Sequence, residues 1–397
     1  MIASTDITTA LLSDHIYLLR EVTEEGLNTP ASLGNYIGTS ALYFLSGTDQ
    51  GRKLLLANNK RLIRLVSVTG LNTVVQSGLH AGESPLWRLL SNGIECDLLL
   101  LDNARLANSI TAAGLNGIVQ SGEAAGESTL LWLSGCEAGR EILALNDARL
   151  VSLISAECLN TKVQNGGSAG ESPLYWLSAT ADGRALLGAH DARLIPMITA
   201  ESLNAVLLSE LSAGESILFW LSGTDEGMAL LGAHNARLVG MITEECLNTA
   251  LDRGESVGQS PLFWLSNSDV GLRILTADNR RLAKLITASG LNAVVDTGVL
   301  AGTSPLYFLS CTHEGRRLLA ADNGRLAKLI TAQSLHTKVC SGSHAGQSAV
   351  IWLSQTQDQY FPSVSYDATP CSYSGLSDQS IFSNIKDHLS NLLSFCH

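Results

Sequence analysis

The sequence predicts an all-α fold, a right-handed-type α-solenoid of about eight 44-residue multi-helix repeats closed by terminal caps. Three observations predict it. Ser40, Ser84, Ser128, Ser172, Ser216, Ser260, Ser304 and Ser348 recur every 44 residues without insertion, each opening a segment like Ser172-Pro-Leu-Tyr-Trp-Leu-Ser178. Leu27-Asn28 keeps the same interval through Leu71, Leu115, Leu159, Leu203, Leu247 and Leu291, and His336 replaces the last Asn after Leu335. No run alternates with period two over a strand's length, and joints such as Asn165-Gly-Gly-Ser168 separate the units. Units of this kind cannot bury a core alone and must stack on their neighbours. With packed helices about 8–10 Å apart, eight layers give a body about 70–80 Å long.

The elements follow in chain order. Residues 14–30 match only the end of a unit, Leu18 aligning with Leu62, so residues 1–39 read as an N-terminal half-repeat cap. The array spans residues 40–354. In unit four, Ser172 is a good N-cap and Pro173 suits the first helical position, which predicts a helix from Pro173 to about Thr180 with Leu174 and Leu177 inward. Ala181-Asp-Gly183 should break that helix and Arg184 to Ala189 resume it. Asp191 and Thr199 offer two more N-caps, for Ala192–Ile198 and for Ala200 to about Leu207. The last unit opens at Ser348 and then loses the pattern. Residues 355–377 read as a polar linker, and 378–397 as an amphipathic helix carrying Ile381, Ile385, Leu389, Leu392 and Leu393. That helix reads as the C-terminal cap, with a partner-binding peptide or a secretion signal as alternatives.

The phrase Gly-Glu-Ser-Pro-Leu-Tyr-Trp-Leu-Ser at 170–178 resembles the ankyrin phrase Gly-x-Thr-Pro-Leu-His-x-Ala, and Leu203-Asn204 is similar to the ankyrin ending before its loop. The unit departs from that pattern. It has 44 residues rather than about 33, Tyr or Phe stands where ankyrin has His, and Asp191 to Thr199 is extra. The period falls within the range of HEAT and armadillo repeats, about 40–47 residues, whose openings are less like Ser-Pro-Leu. The resemblance implies an ankyrin-like solenoid with enlarged units over residues 14–354. In style the chain also resembles repeat effectors that intracellular bacteria deliver into host cells.

Composition bounds the function classes. Apolar residues make up 45% and charged residues 16%, enough hydrocarbon for a core and too little charge for general disorder. A net charge of −12 disfavours nucleic-acid backbones and anionic membranes as partners. The opening Met1-Ile-Ala-Ser-Thr-Asp6 has neither a basic leader nor an apolar run, so we expect no ordinary secretory signal and a cytoplasmic location, in the producing cell or a host cell. Cys96, Cys136, Cys158, Cys246, Cys311 and Cys340 occupy five different places in the repeat and form no Cys-x-x-Cys, which favours reduced, structural thiols.

Comparison between units sorts the candidate residues. The ladder Arg61, Arg105, Arg149, Arg193, Arg237, Arg281 and Arg325 is constant, each member two residues after an Asn or Asp, and it should tie an inter-helix turn to the next unit's carboxylate or carbonyls. A phosphate-binding strip is the alternative. Consecutive aromatic columns, one through Tyr175 and Phe219 and the other through Trp176 and Trp220, cannot both point fully inward, so one should reach the rim of the groove between units. Variable residues concentrate after the first helix, in what should be loops, and include Asp182, Asp225 and Glu226. Units three to five hold 16 Asp and Glu against 7 Lys and Arg, whereas units six and seven hold 5 against 9, so a partner with a basic surface fits the acidic stretch. The partner-binding candidates are therefore Asp182, Asp225, Glu226, Trp176 and Trp220. His190 and His234 share one place in adjacent units, but nothing beside them completes a metal-ligand set. No catalytic motif is present and no cofactor site is expected. The reading is a non-enzymatic protein–protein interaction scaffold. The alternative is an enzyme, or an enzyme's regulatory subunit, with its chemistry in the tail from Gln355 to His397.

Overall fold

The computed structural model describes residues 21–32, 37–91, 96–207, 214–253 and 256–354. Leu18, the 355–377 linker and the 378–397 helix lie outside them. The described residues are all-α: they contain no strand, only isolated antiparallel bridges such as Val206 with Ser216.

Each unit is built from three short helices. In unit four these are Pro173–Ala179, Ala181–Ala192 and Ala200–Asn204, with a 3-10 turn at Ile195–Met197 before the last. Ser172 begins the first helix as expected, its side chain accepting the Tyr175 N–H. The break after that helix is narrower than expected. Thr180 alone interrupts it and caps the second helix through the Gly183 N–H, so Ala181-Asp-Gly183 forms the first helical turn. Gly183 is needed there because a Cβ would stand 2.4 Å from the Leu177 carbonyl oxygen.

Asp191 is a larger departure. It caps nothing, because the backbone turns left-handed at His190, Asp191 and Ala192, with φ of 50°, 54° and 56°. The same three-residue run recurs at Asp102–Ala104, Asn146–Ala148, His234–Ala236 and Asp278–Arg280, and Asp322, Asn323 and Gly324 repeat it. Left-handed residues cost about 1–2 kcal/mol each for most side chains and less for Asn and Asp, which explains the Asn or Asp at the second place of every run. Beyond this turn the chain forms the Ile195–Met197 turn in place of the predicted Ala192–Ile198 helix, and the third helix ends at Asn204, before Leu207.

Corresponding helices of neighbouring units pack on one another. First helix meets first helix from Ala41–Ser46 through Ala349–Ser354, and second helices pair likewise from unit two to unit seven. One hydrophobic cluster runs continuously from Val22 to Leu353, with Leu174 and Leu177 fully buried within it. A smaller cluster gathers Phe263, Tyr307 and Phe308.

Two polar ladders cross every junction. Asn160 donates from Nδ2 to the carbonyl of Ala156 in its own helix at 2.7 Å and to that of Met197 in the next unit at 2.9 Å. Its Oδ1 accepts the N–H of Thr199, the next unit's third N-cap, at 3.1 Å. Asn28, Asn72, Asn116, Asn204, Asn248 and Asn292 repeat all three bonds. Arginine runs the opposite way. Arg193 donates to the carbonyls of Val151 and Ile154 in the preceding unit, and each ladder Arg from Arg61 to Arg325 reaches at least one such carbonyl. The expected tie exists and ends on carbonyls, as one of the two expected partners, but it runs to the preceding unit rather than the next.

Candidate interaction surface

The aromatic columns divide as the rim argument requires. Tyr43, Trp87, Tyr175, Phe219, Phe263 and Tyr307 are all buried, whereas Phe44, Trp132, Trp176 and Trp264 of the second column are half-buried. Trp220 and Phe308 depart from that column at 4% and 5% exposure, so they offer a partner almost no surface, while Trp176 is half-buried against the core.

A carboxylate row lies beneath these rings, at the residue just before each opening serine. Sequence comparison did not single it out. Glu83 accepts the Tyr43 hydroxyl at 2.5 Å and the Arg88 Nε–H at 2.7 Å, and lies 3.1 Å from His80 Nδ1. Glu127 accepts the Trp132 Nε1–H at 3.0 Å and Glu171 that of Trp176 at 3.1 Å. Glu215 accepts the Tyr175 hydroxyl, and Gln347 the Tyr307 hydroxyl at 3.0 Å. Burial pushes the Glu127 carboxyl up to about 7 against the Trp132 indole hydrogen bond that opposes it, and burial likewise raises Glu171. At Phe219 and Phe263, which lack a donor, Gln259 and Thr303 stand forty residues on in place of the acid, although Glu171 is kept forty residues after Leu131.

Asp182, Asp225 and Glu226 are exposed, but they stand in the first turn of second helices and not in loops. Two of them also face inward charge. Asp182 acts on the guanidiniums of Arg140 and Arg184, and Glu226 on that of Arg184; burial depresses both Arg residues and these carboxylates counter it. Arg140 and Arg184 hold the carbonyls of Ser134 and Ser178 at 2.8 and 2.9 Å, at the end of the first helix. The acids thus help a buried arginine row as well as facing solvent.

His190 and His234 are exposed and donate from Nε2 to the carbonyls of Ala148 and Ala192, each 3.1 Å away in the preceding unit's left-handed turn. That use ties turn to turn. Among the described residues no group of three or more His, Cys, Asp or Glu is arranged to hold a metal ion. No helix there is long and apolar enough to cross a membrane.

The joints between units form paired loops. Val75 N–H bonds the Glu83 carbonyl and Gly82 N–H the Val75 carbonyl, both at 2.8 Å, and equivalent pairs close at Val119, Val163, Leu207, Leu251, Val295 and Val339. Gln120, Gln164 and Cys340 donate to the loop before, at Ala81, Ala125 and Ala301. The tip place is exposed and its side chain changes freely: Leu79, Glu123, Gly167 and Val299. Leu79 is 86% and Val299 65% exposed. No protein-family model and no curated protein matches this sequence.

Proposed function

We propose that the chain is an ankyrin-like α-solenoid and serves as a non-enzymatic scaffold that binds another protein along its repeated surface. The observation that carries the reading is the loop tips: a constant hydrogen-bonded backbone presents Leu, Glu, Gly or Val at one exposed place. Folding has no use for a large apolar side chain held in water, whereas recognition on a repetitive scaffold does. Short packed helices followed by a paired turn support the ankyrin likeness, with the left-handed turn, the Ile195–Met197 segment and the third helix Ala200–Asn204 standing beyond a two-helix unit. The surplus of acids in units three to five, Asp182, Asp225 and Glu226 exposed among them, suits a partner with a basic surface.

Co-purification tests the reading. The intact chain, a Leu79→Ser, Val299→Ser variant and a variant with Asp182→Asn, Asp225→Asn and Glu226→Gln would each serve as bait at low salt. The tip variant should melt like the parent and lose the protein the parent retains. The acid variant should retain less of it, and the parent's capture should weaken with salt, because exposed charges are screened beyond about 8 Å at physiological ionic strength. Full retention by both variants would sink the proposal.

A further inference from the structure

Two neighbouring units each break their own column, and the two departures meet. The N-cap of the second helix is Thr or Ser in units one, four, five, six and seven, but Cys136 in unit three, where its Sγ accepts the Gly139 N–H at 3.3 Å. The place held by Arg140 in unit three is Cys96 in unit two. Their sulfurs stand 3.3 Å apart, both as free thiols, across the junction between second helices. We infer that Cys96 and Cys136 form an oxidisable dithiol, with Cys136 the thiol that hydrogen peroxide oxidises first and Cys96 the thiol that resolves it.

The surroundings assign the two roles. Cys136 is half-buried, and its sulfur lies at a helix N-terminus, holds the Gly139 N–H and stands close to the Arg140 charge; its S–H, when present, points at the Trp132 carbonyl 3.6 Å away. The hydrogen bond from Cys96, the Gly139 N–H and Arg140 together hold the Cys136 thiol down at about 7, against burial. Cys96 is buried, and its thiol is pushed up by that same hydrogen bond and by burial. Cys136 is therefore the nucleophile and Cys96 the proton carrier.

The chemistry balances with peroxide as oxidant. The Cys136 thiolate attacks one peroxide oxygen, an S–O bond forms and the O–O bond breaks. The departing hydroxide takes the proton that Cys136 had released and leaves as water. Cys96 then attacks the Cys136 sulfenic sulfur, the S–S bond forms, the S–O bond breaks, and the Cys96 proton leaves with hydroxide as a second water. Two sulfurs lose two electrons and the peroxide gains them. The product staples unit two to unit three, where a sulfur–sulfur distance of about 2.05 Å must be reached.

Peroxide treatment of the intact chain, followed by alkylation and peptide mapping, tests this. The main product should be a Cys96–Cys136 linked peptide that thiol reductant reverses, formed several-fold faster than exposed Cys340 is oxidised, because a Cys136 thiol held down at about 7 is largely thiolate at neutral pH. Cys136→Ser keeps an N-cap oxygen and so tests the chemistry without removing the cap; it should give no linked peptide and leave Cys96 unoxidised. Cys96→Ala should leave a sulfenic acid on Cys136 that dimedone traps. Oxidation of Cys340 ahead of Cys136, or a parent chain that gives no linked peptide, would overturn the inference.

Discussion

The Tyr175 hydroxyl donates to the Glu215 carboxylate forty residues further on, across the junction that Ser216 opens. Tyr43 with Glu83 and Tyr307 with Gln347 repeat the relationship, the last with an amide oxygen as the acceptor. The pair belongs to the interface between units, where one side chain's choice constrains another's. A double-mutant cycle should therefore show Tyr175→Phe and Glu215→Gln coupled by about 0.5–3 kcal/mol, the double variant losing less stability than the two single losses combined. Additive losses in urea unfolding would make the contact incidental.

Glu127 supplies a pH dependence. Burial holds its carboxyl at about 7 against an ordinary 4.5, so the native state prefers the protonated form. Stability is whole below pH 4.5 and falls as pH rises through about 7. Glu127→Gln keeps an acceptor for the Trp132 indole and removes the charge. It should melt above the parent at pH 8, by about 1 kcal/mol after solvent screening, and level with it at pH 4. Equal melting at both values would mean the carboxylate is not held up.

The asparagine ladder predicts a contrast between two positions. Asn160→Ala removes four bonds, three of them to the next unit, and should cost about 1–3 kcal/mol. His336 holds the corresponding place where the regular array ends, so His336→Ala should stay within about 0.5 kcal/mol. Comparable losses at both positions, read from melting curves, would remove the ladder from the stability argument.

Leu174→Ala with Leu177→Ala tests the inward face read from the sequence. Both residues are fully buried in the continuous cluster, and each truncation should cost about 2–5 kcal/mol. An unchanged melting curve is the contrary result.

The period, the serine caps and the inward leucines were legible because each rests on local chemistry repeated eight times. The left-handed turn was not. Asn and Asp are favoured both at N-caps and in left-handed backbone, and Asp191 before Ala192-Arg193 reads equally well as either. The acids were placed in loops because Gly183 looked like a helix breaker, when it is the residue that lets the second helix approach Leu177. The carboxylate row was visible only as a pairing at forty residues, hidden while Tyr175 was counted among aromatics alone. The Cys96–Cys136 contact could not be read at all, since the two occupy different places in their units and only packing brings them together.

The central claim is that stability resides in like interfaces between 44-residue units, and deletion of residues 172–215 tests it most directly. The cut removes Tyr175 together with Glu215 and joins Glu171 to Ser216, so the remaining junctions keep their register. The account predicts a chain that folds cooperatively, with the parent's helicity per residue by circular dichroism and a modestly lower melting temperature, whereas deletion of residues 172–193 alone leaves it unfolded. A 172–215 deletion that fails to fold, or a 172–193 deletion that folds as well, would contradict it.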